Sequence, residues 1–255
     1  MSYKNTVLPI IRKTRAISLP SWGFCEIIDI KNAHPASIVT EIDGAVEGFL
    51  KKELSVIYPD IVFVGEEMGG NREAEKFWLV DPIDATGHYM RGLPFTTTML
   101  ALIDNGEVVF SVIYDFINDV VYWAEKGEGA YKNDERIHVS NRTLIESYVS
   151  VEIQSKEGKN DALIKKIDGK MGSFSSISAG WEFAMIACGK MDGRIMVDPF
   201  GKDYDFSPGS LLVREAGGIV TNLGVDTYDY RNTNCIIANP KVHAELSKIF
   251  EEVSS

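Results

Sequence analysis

Residues 77–86 read FWLVDPIDAT. Four large apolar residues, Phe77 to Val80, closed by Asp81 and Pro82, have the length and composition of a buried strand rather than a helix. Pro82 fixes one backbone dihedral and removes an amide donor, so Asp84 stands at a set offset from Asp81. Two carboxylates crowded at a strand end repel each other unless a cation lies between them. Hard cations such as Mg²⁺ select such oxygen ligands and keep waters for exchange. Glu66, in VFVGEE, ends the apolar run 61–64 by the same logic.

Working outward, runs 96–103, 108–114 and 120–124 are separated by Asp104-Asn105-Gly106 and by the turn 115–119, which predicts an antiparallel meander. Before it, Val46, Phe49, Leu50, Leu54 and Ile57 recur at helical spacing, so a helix from Asp43 stops ahead of Pro59. A helix over 2–18 and a strand–loop–strand over 26–40 precede that. After it, strands at 148–153, 174–177, 195–197, 219–221 and 235–238 alternate with helices at 160–167, 178–189, 205–216 and from 241. This mixture predicts an α+β fold. The expected organisation is one domain, 1–255, in two halves of about 1–140 and 141–255.

The 255 residues carry 45% hydrophobic and 25% charged side chains, which argues against disorder. No apolar run approaches the roughly 18 residues that cross a bilayer, and the start has no secretory pattern. A soluble cytoplasmic protein with no membrane partner is expected. Lys+Arg 26 against Asp+Glu 37 gives a net charge of -11, which disfavours nucleic acid as a partner. Cys25, Cys188 and Cys235 are odd in number and form no CxxC pair, so they read as reduced thiols.

Single acidic residues have two readings. Asp43 and Asp205 stand where helices start, as N-caps or as site residues. Thr86 is either a helix cap or the orienter of a water whose proton Asp43 accepts. The backbone amides of Ala85 and Thr86 would face a phosphate if Thr86 opens a helix.

Five segments together resemble the inositol monophosphatase superfamily of Mg²⁺-dependent, lithium-sensitive sugar phosphatases. They are IVTEID (38–43), GEE (65–67), WLVDPIDAT (78–86), SAGWEFAMIACGKMDG (178–193) and DYDFSPGSLLVREAGG (203–218). The resemblance implies a layered αβαβα sandwich, assembled as a homodimer, with two or three Mg²⁺ per site. It implies that Glu66, Asp81 and the carbonyl of Ile83 hold a first ion, and that Asp81, Asp84 and Asp205 hold a second. A third, looser ion would lie near Glu66. Thr86 with Asp43 would prepare the attacking water, and the amides of Ala85 and Thr86 would hold the phosphate. Ser178, Ala179, Glu182 and Asp198 would form the sugar side, with Trp181 and Glu182 open to a second reading as helix core and solvated face.

The stretch GKMDGRIMVDPF (189–200) resembles the archaeal branch, whose members act on fructose 1,6-bisphosphate and inositol 1-phosphate. Two alternatives stand beside that. A 3′-phosphoadenosine 5′-phosphate nucleotidase would carry a Lys-Gly pair after the Thr, where Gly87-His88 stands. A non-catalytic pseudo-phosphatase is suggested by Ala85, which replaces the usual glycine. Position 85 is expected in helical or extended backbone, where alanine costs little. His88 replaces the usual asparagine and is expected to sit behind the site or on the surface.

Overall fold

The computed structural model describes residues 2–30 and 38–254. The polar loop expected within 26–40 lies outside the described residues. The first half runs α1 (Lys4–Lys13), α2 (Arg15–Ser18), β1 (Ile27–Ile30), β2 (Ile38–Thr40) and α3 (Glu41–Ile57). It continues with β3 (Val62–Gly65), β4 (Lys76–Asp84), α4 (Thr86–Tyr89), β5 (Thr97–Asp104), β6 (Glu107–Asp115), β7 (Val120–Glu125), β8 (Gly129–Lys132) and β9 (Glu135–Ile137). The second half comprises β10 (Tyr148–Ile153), α5 (Asp161–Ile167), β11 (Gly172–Ser175), α6 (Ala179–Ala187) and β12 (Gly193–Val197). Then follow α7 (Asp203–Glu215), β13 (Ile219–Asn222), β14 (Cys235–Ala238) and α8 (Pro240–Ser254).

Strands β3 to β9 form a seven-stranded sheet in sequence order, with β3 parallel to β4 and every later pair antiparallel. The β5–β6 turn takes Asn105 and Gly106 into positive φ, as its Asp-Asn-Gly tip predicts. A five-stranded sheet has the order β11-β10-β12-β14-β13, with β10 parallel to both its neighbours.

Period-two geometry explains why the apolar runs do not alternate with polar residues. In β4, Phe77 and Leu79 face one side while Trp78 and Val80 face the other, and both sides are buried. On the outer side α1 and α3 supply Ile10, Ile11, Val46 and Leu50. On the inner side α6 and α7 supply Phe183, Leu211 and Leu212, whose far surface meets Met196 and Ile237 of the second sheet. That sheet in turn buries Val149, Ile195 and Ile236 under Leu163 of α5 and Leu246 of α8. The result is the αβαβα sandwich, an α+β fold as expected, with α6 and α7 as the central layer.

Several boundaries differ from the sequence reading. The first helix divides at Thr14, whose hydroxyl donates to the carbonyl of Ile11 at 2.6 Å. Strands β8 and β9 were not expected; GAYK and ERI are too short and polar to show a pattern. Helices α3 and α7 each begin two residues before the aspartate expected to start them, so Asp43 and Asp205 both occupy the third helical position. Most consequential is β4, which runs on through Asp84 instead of ending at Val80.

Candidate metal centre

In a regular strand, residues three apart face opposite sides of the sheet. Asp81 pairs with Met99 and Asp84 with Thr97, so three steps along β4 match two along β5. A bulge at Pro82-Ile83 absorbs the extra residue and turns both aspartates to one face. Proline lacks the ladder donor, so a bulge is where an interior strand tolerates it. Thr98 Oγ1 donates to the Pro82 carbonyl at 2.9 Å and closes the bulge from the neighbouring strand.

Asp205 arrives from the first turn of α7, where its carboxylate accepts from the Lys202 amide at 2.5 Å. Asp81, Asp84 and Asp205 then offer oxygens that all lie within 4.8 Å of one another. Burial raises the Asp81 carboxyl well above the usual carboxylate range, and the charges of Glu66, Asp205 and Asp84 add to it. Burial and the charges of Glu66 and Asp84 push Asp205 up to about 8. Asp81 Oδ1 is buried without a hydrogen-bond partner. An orphaned carboxylate oxygen among crowded carboxylates has the chemistry of an ion site. The donor set is all oxygen, so these residues fit Mg²⁺. Glu66 is near enough to act on Asp81 and Asp205, and the Tyr204 hydroxyl donates to its Oε1 at 3.3 Å.

Asp84 is raised by burial but held by donors from the second half of the chain. The amides of Gly180 and Ala179, at 2.9 and 3.2 Å, point to it from the start of α6, and the Ser178 hydroxyl donates to it as well. A Cβ on Gly180 would lie 2.1 Å from Thr97 Oγ1, so only glycine allows this approach.

All four residues expected on the sugar side have partners within the chain. Ser178 and Ala179 bind Asp84. Glu182 is wholly buried, accepting from the amides of Ile177 and Ser178 and from Arg194, so its expected contact with a sugar is corrected to an internal one. Asp198, at the end of β12, accepts from Lys159 Nζ at 2.7 Å. Trp181 packs edge-on against Phe95. His88 packs against Phe95 and is not among the clustered carboxylates.

Beside the cluster, Asp43 accepts from the amide and hydroxyl of Thr40 at 2.8 and 2.6 Å and from Thr86 Oγ1 at 3.0 Å. Thr40, not Asp43, is the N-cap of α3, so the N-cap reading of Asp43 is corrected: it is the third-position partner of the Thr40 capping box and at the same time the acceptor for Thr86. Burial pushes Asp43 up to about 6 against the pull of the Thr40 and Thr86 donors.

Ala85 has φ 59° and ψ 52°, the left-handed region, and not the helical or extended backbone expected of it. Strand β4 must reverse into α4 within one residue, and this conformation does so. It costs an L-residue about 1–2 kcal/mol. We predict that Ala85→Gly gains about 0.5–1 kcal/mol in a denaturant melt while kcat/KM changes less than about tenfold. A loss of stability would contradict the left-handed assignment.

Glu47 went unnoticed in the sequence. It is fully buried and accepts from the amides of Glu67 and Met68 at 2.8 and 2.7 Å, pinning the Gly65-Glu66-Glu67 turn. A Cβ on Gly65 would lie 1.9 Å from its carboxylate. The signal was present: Asp43 and Glu47 are four apart on the same face of α3 as Val46 and Leu50, and charge there demands a partner.

The inositol monophosphatase family model matches residues 17–255. A Thermotoga maritima protein named fructose-1,6-bisphosphatase/inositol-1-monophosphatase is 29% identical over 250 residues, covering 96% of this chain and 94% of that one. A Xylella fastidiosa protein named Nus factor SuhB is 34% identical over 225 residues, covering 85% of this chain and 80% of that one. The solved inositol monophosphatase of Thermotoga maritima superposes with a TM-score of 0.88 at 28% identity, over 100% of this chain and 98% of that chain. With the match running through every element that carries the carboxylate cluster, the chain belongs to the inositol monophosphatase family.

Proposed function

We propose that this chain is a Mg²⁺-dependent phosphomonoesterase acting on small sugar and cyclitol phosphates, with fructose 1,6-bisphosphate and inositol 1-phosphate as substrates. The observation that carries this reading is the Asp81–Asp84–Asp205 cluster, with Asp81 and Asp84 buried, Asp205 half-buried and one oxygen of Asp81 orphaned, set near the Thr86–Asp43 pair. The name of the Thermotoga maritima relative supports the substrate pair. The family resemblance supports two or three Mg²⁺, the Ile83 carbonyl and Glu66 among their ligands, and a homodimer; the reduced-thiol reading of the cysteines supports a cytoplasmic setting. Among the described residues no helix is long and apolar enough to cross a membrane.

When bound, Mg²⁺ supplies charge neutralisation and Lewis-acid polarisation at the phosphoryl group. The chain's own residues place the nucleophile. The single Thr86 proton has two acceptors, the Ile83 carbonyl at 2.9 Å and Asp43 at 3.0 Å. An ionised Asp43 draws that proton, which leaves the Thr86 oxygen lone pairs to orient a water and passes basicity to it. The amides of Ala85 and Thr86, at the turn from β4 into α4, hold the phosphoryl oxygens in this reading.

Asp43 sets the acid limb. At saturating Mg²⁺, kcat/KM rises with pH through about 6 as Asp43 loses its proton. Below that value it falls about tenfold per pH unit, and Asp43→Asn removes the limb together with most of the activity. A pH–rate profile with the limb intact in Asp43→Asn would assign the base elsewhere.

A phosphate-release panel tests the substrate class. Inositol 1-phosphate and fructose 1,6-bisphosphate should both turn over, and 3′-phosphoadenosine 5′-phosphate poorly. A preference for the nucleotide would replace this reading with the nucleotidase one. Metal binding without turnover of any ester would favour the pseudo-phosphatase.

A further inference from the structure

Outside the carboxylate cluster, the most unusual group is Arg194 on β12. Its side chain is 2% exposed, in the middle of the second sheet. One guanidinium nitrogen, Nη1, donates to Glu182 Oε2 at 2.7 Å, and the other, Nη2, donates to Glu152 Oε2. The guanidinium packs against a pair of aromatic rings that meet edge-on, with Cζ 5.2 Å from the Phe183 centroid and 5.3 Å from that of Phe206. Phe183 belongs to α6, and Phe206 follows Asp205 directly in α7.

Each carboxylate that Arg194 grips has a second task. The other oxygen of Glu182 accepts from the amides of Ile177 and Ser178 at 2.6 and 3.3 Å. That fixes the entry into α6, whose Ser178, Ala179 and Gly180 grip Asp84. The other oxygen of Glu152 accepts from the amides of Phe200 and Gly201, the nearer at 2.9 Å. That fixes the entry into α7, which delivers Asp205. One planar fork therefore reaches both arms of the cluster with donors at a fixed separation, a spacing that an ammonium, with all its donors on one nitrogen, does not set.

Taking the cluster as the Mg²⁺ site proposed above, we propose that Arg194 is a positioning residue that sets the spacing of Asp84 and Asp205 for the metal. Its hydrogen bonds run to Glu182 and Glu152 and not to either aspartate; its charge is felt at Asp84, and the spacing acts through the two glutamates.

Charge alone predicts the opposite outcome to spacing. Removing a cation near a carboxylate cluster tightens Mg²⁺ binding by electrostatics, whereas a cluster that has lost its spacing binds it more weakly. The test is calorimetric titration of the chelator-stripped chain with Mg²⁺, in wild type, Arg194→Lys and Arg194→Met, with a thermal melt of each. Arg194→Lys keeps the charge and loses the fork, so it decides the matter if Arg194→Met does not fold. Both folded variants should bind Mg²⁺ about tenfold or more weakly, the scale of losing a residue that orients a ligand. Arg194→Lys within twofold of wild type, or Arg194→Met binding more tightly, would overturn the proposal. Wild type that binds Mg²⁺ yet releases no phosphate from any ester would defeat the phosphatase reading and leave this one standing.

Discussion

Asp81→Asn lowers kcat/KM for inositol 1-phosphate by about 10³-fold or more, equivalent to roughly 4 kcal/mol of transition-state stabilisation. Asp81 is singled out because it faces both Asp205 and Glu66 and has an unpartnered buried oxygen. The same substitution should raise the melting temperature of the metal-free protein, because it removes one of several buried like charges. The sign follows from linkage. Folding raises the carboxyls of Asp81 and Asp205, so between about pH 4 and pH 8 the folded chain binds more protons than the unfolded one. Metal-free stability therefore falls as pH rises across that window, and Mg²⁺ restores it. Asp81→Asn should flatten the fall and weaken the Mg²⁺ response in thermal melts. Unchanged turnover with a normal Mg²⁺ shift would remove Asp81 from the centre.

Arg194→Met is expected to cost about 3–5 kcal/mol in chemical denaturation, the largest stability effect anticipated in this chain. Glu182 is fully buried, and losing the guanidinium leaves its charge without a cation. Exposed pairs such as Lys126–Glu107 are worth a fraction of that, since water screens both partners. Adding Glu182→Gln to Arg194→Met should recover more than half of the loss, because the amide keeps an acceptor for Ile177 and Ser178 without the buried charge. Equal losses in the single and double variants would show that packing against Phe183 and Phe206, and not charge, dominates.

Much of the fold was legible because its signals are local. The apolar run 77–80 and the Asp-Asn-Gly tip each determine their own backbone, and both strands and turn lie where they were expected. The carboxylates of the cluster were legible for a related reason, since each falls at the end of an apolar run or in the first turn of an apolar helix. What escaped depends on partners distant in sequence. The bulge at Pro82-Ile83 exists only relative to the β5 register. Glu182 looks like a solvated helix position until Arg194, twelve residues on, is placed beneath it. Glu152 is equally mute, because its partners Arg194 and Phe200 come from another strand and the loop beyond it. Ala85 was misread because a left-handed alanine has no sequence signature; only the need to reverse β4 into α4 within one residue imposes it.

The central claim is that the clustered aspartates Asp81, Asp84 and Asp205 are a Mg²⁺ centre for phosphoester hydrolysis. Phosphate release from inositol 1-phosphate by the chelator-stripped chain, measured against added Mg²⁺, tests it most directly. No release without Mg²⁺ and saturable recovery on its addition is the predicted result. Undiminished release in excess chelator would contradict it.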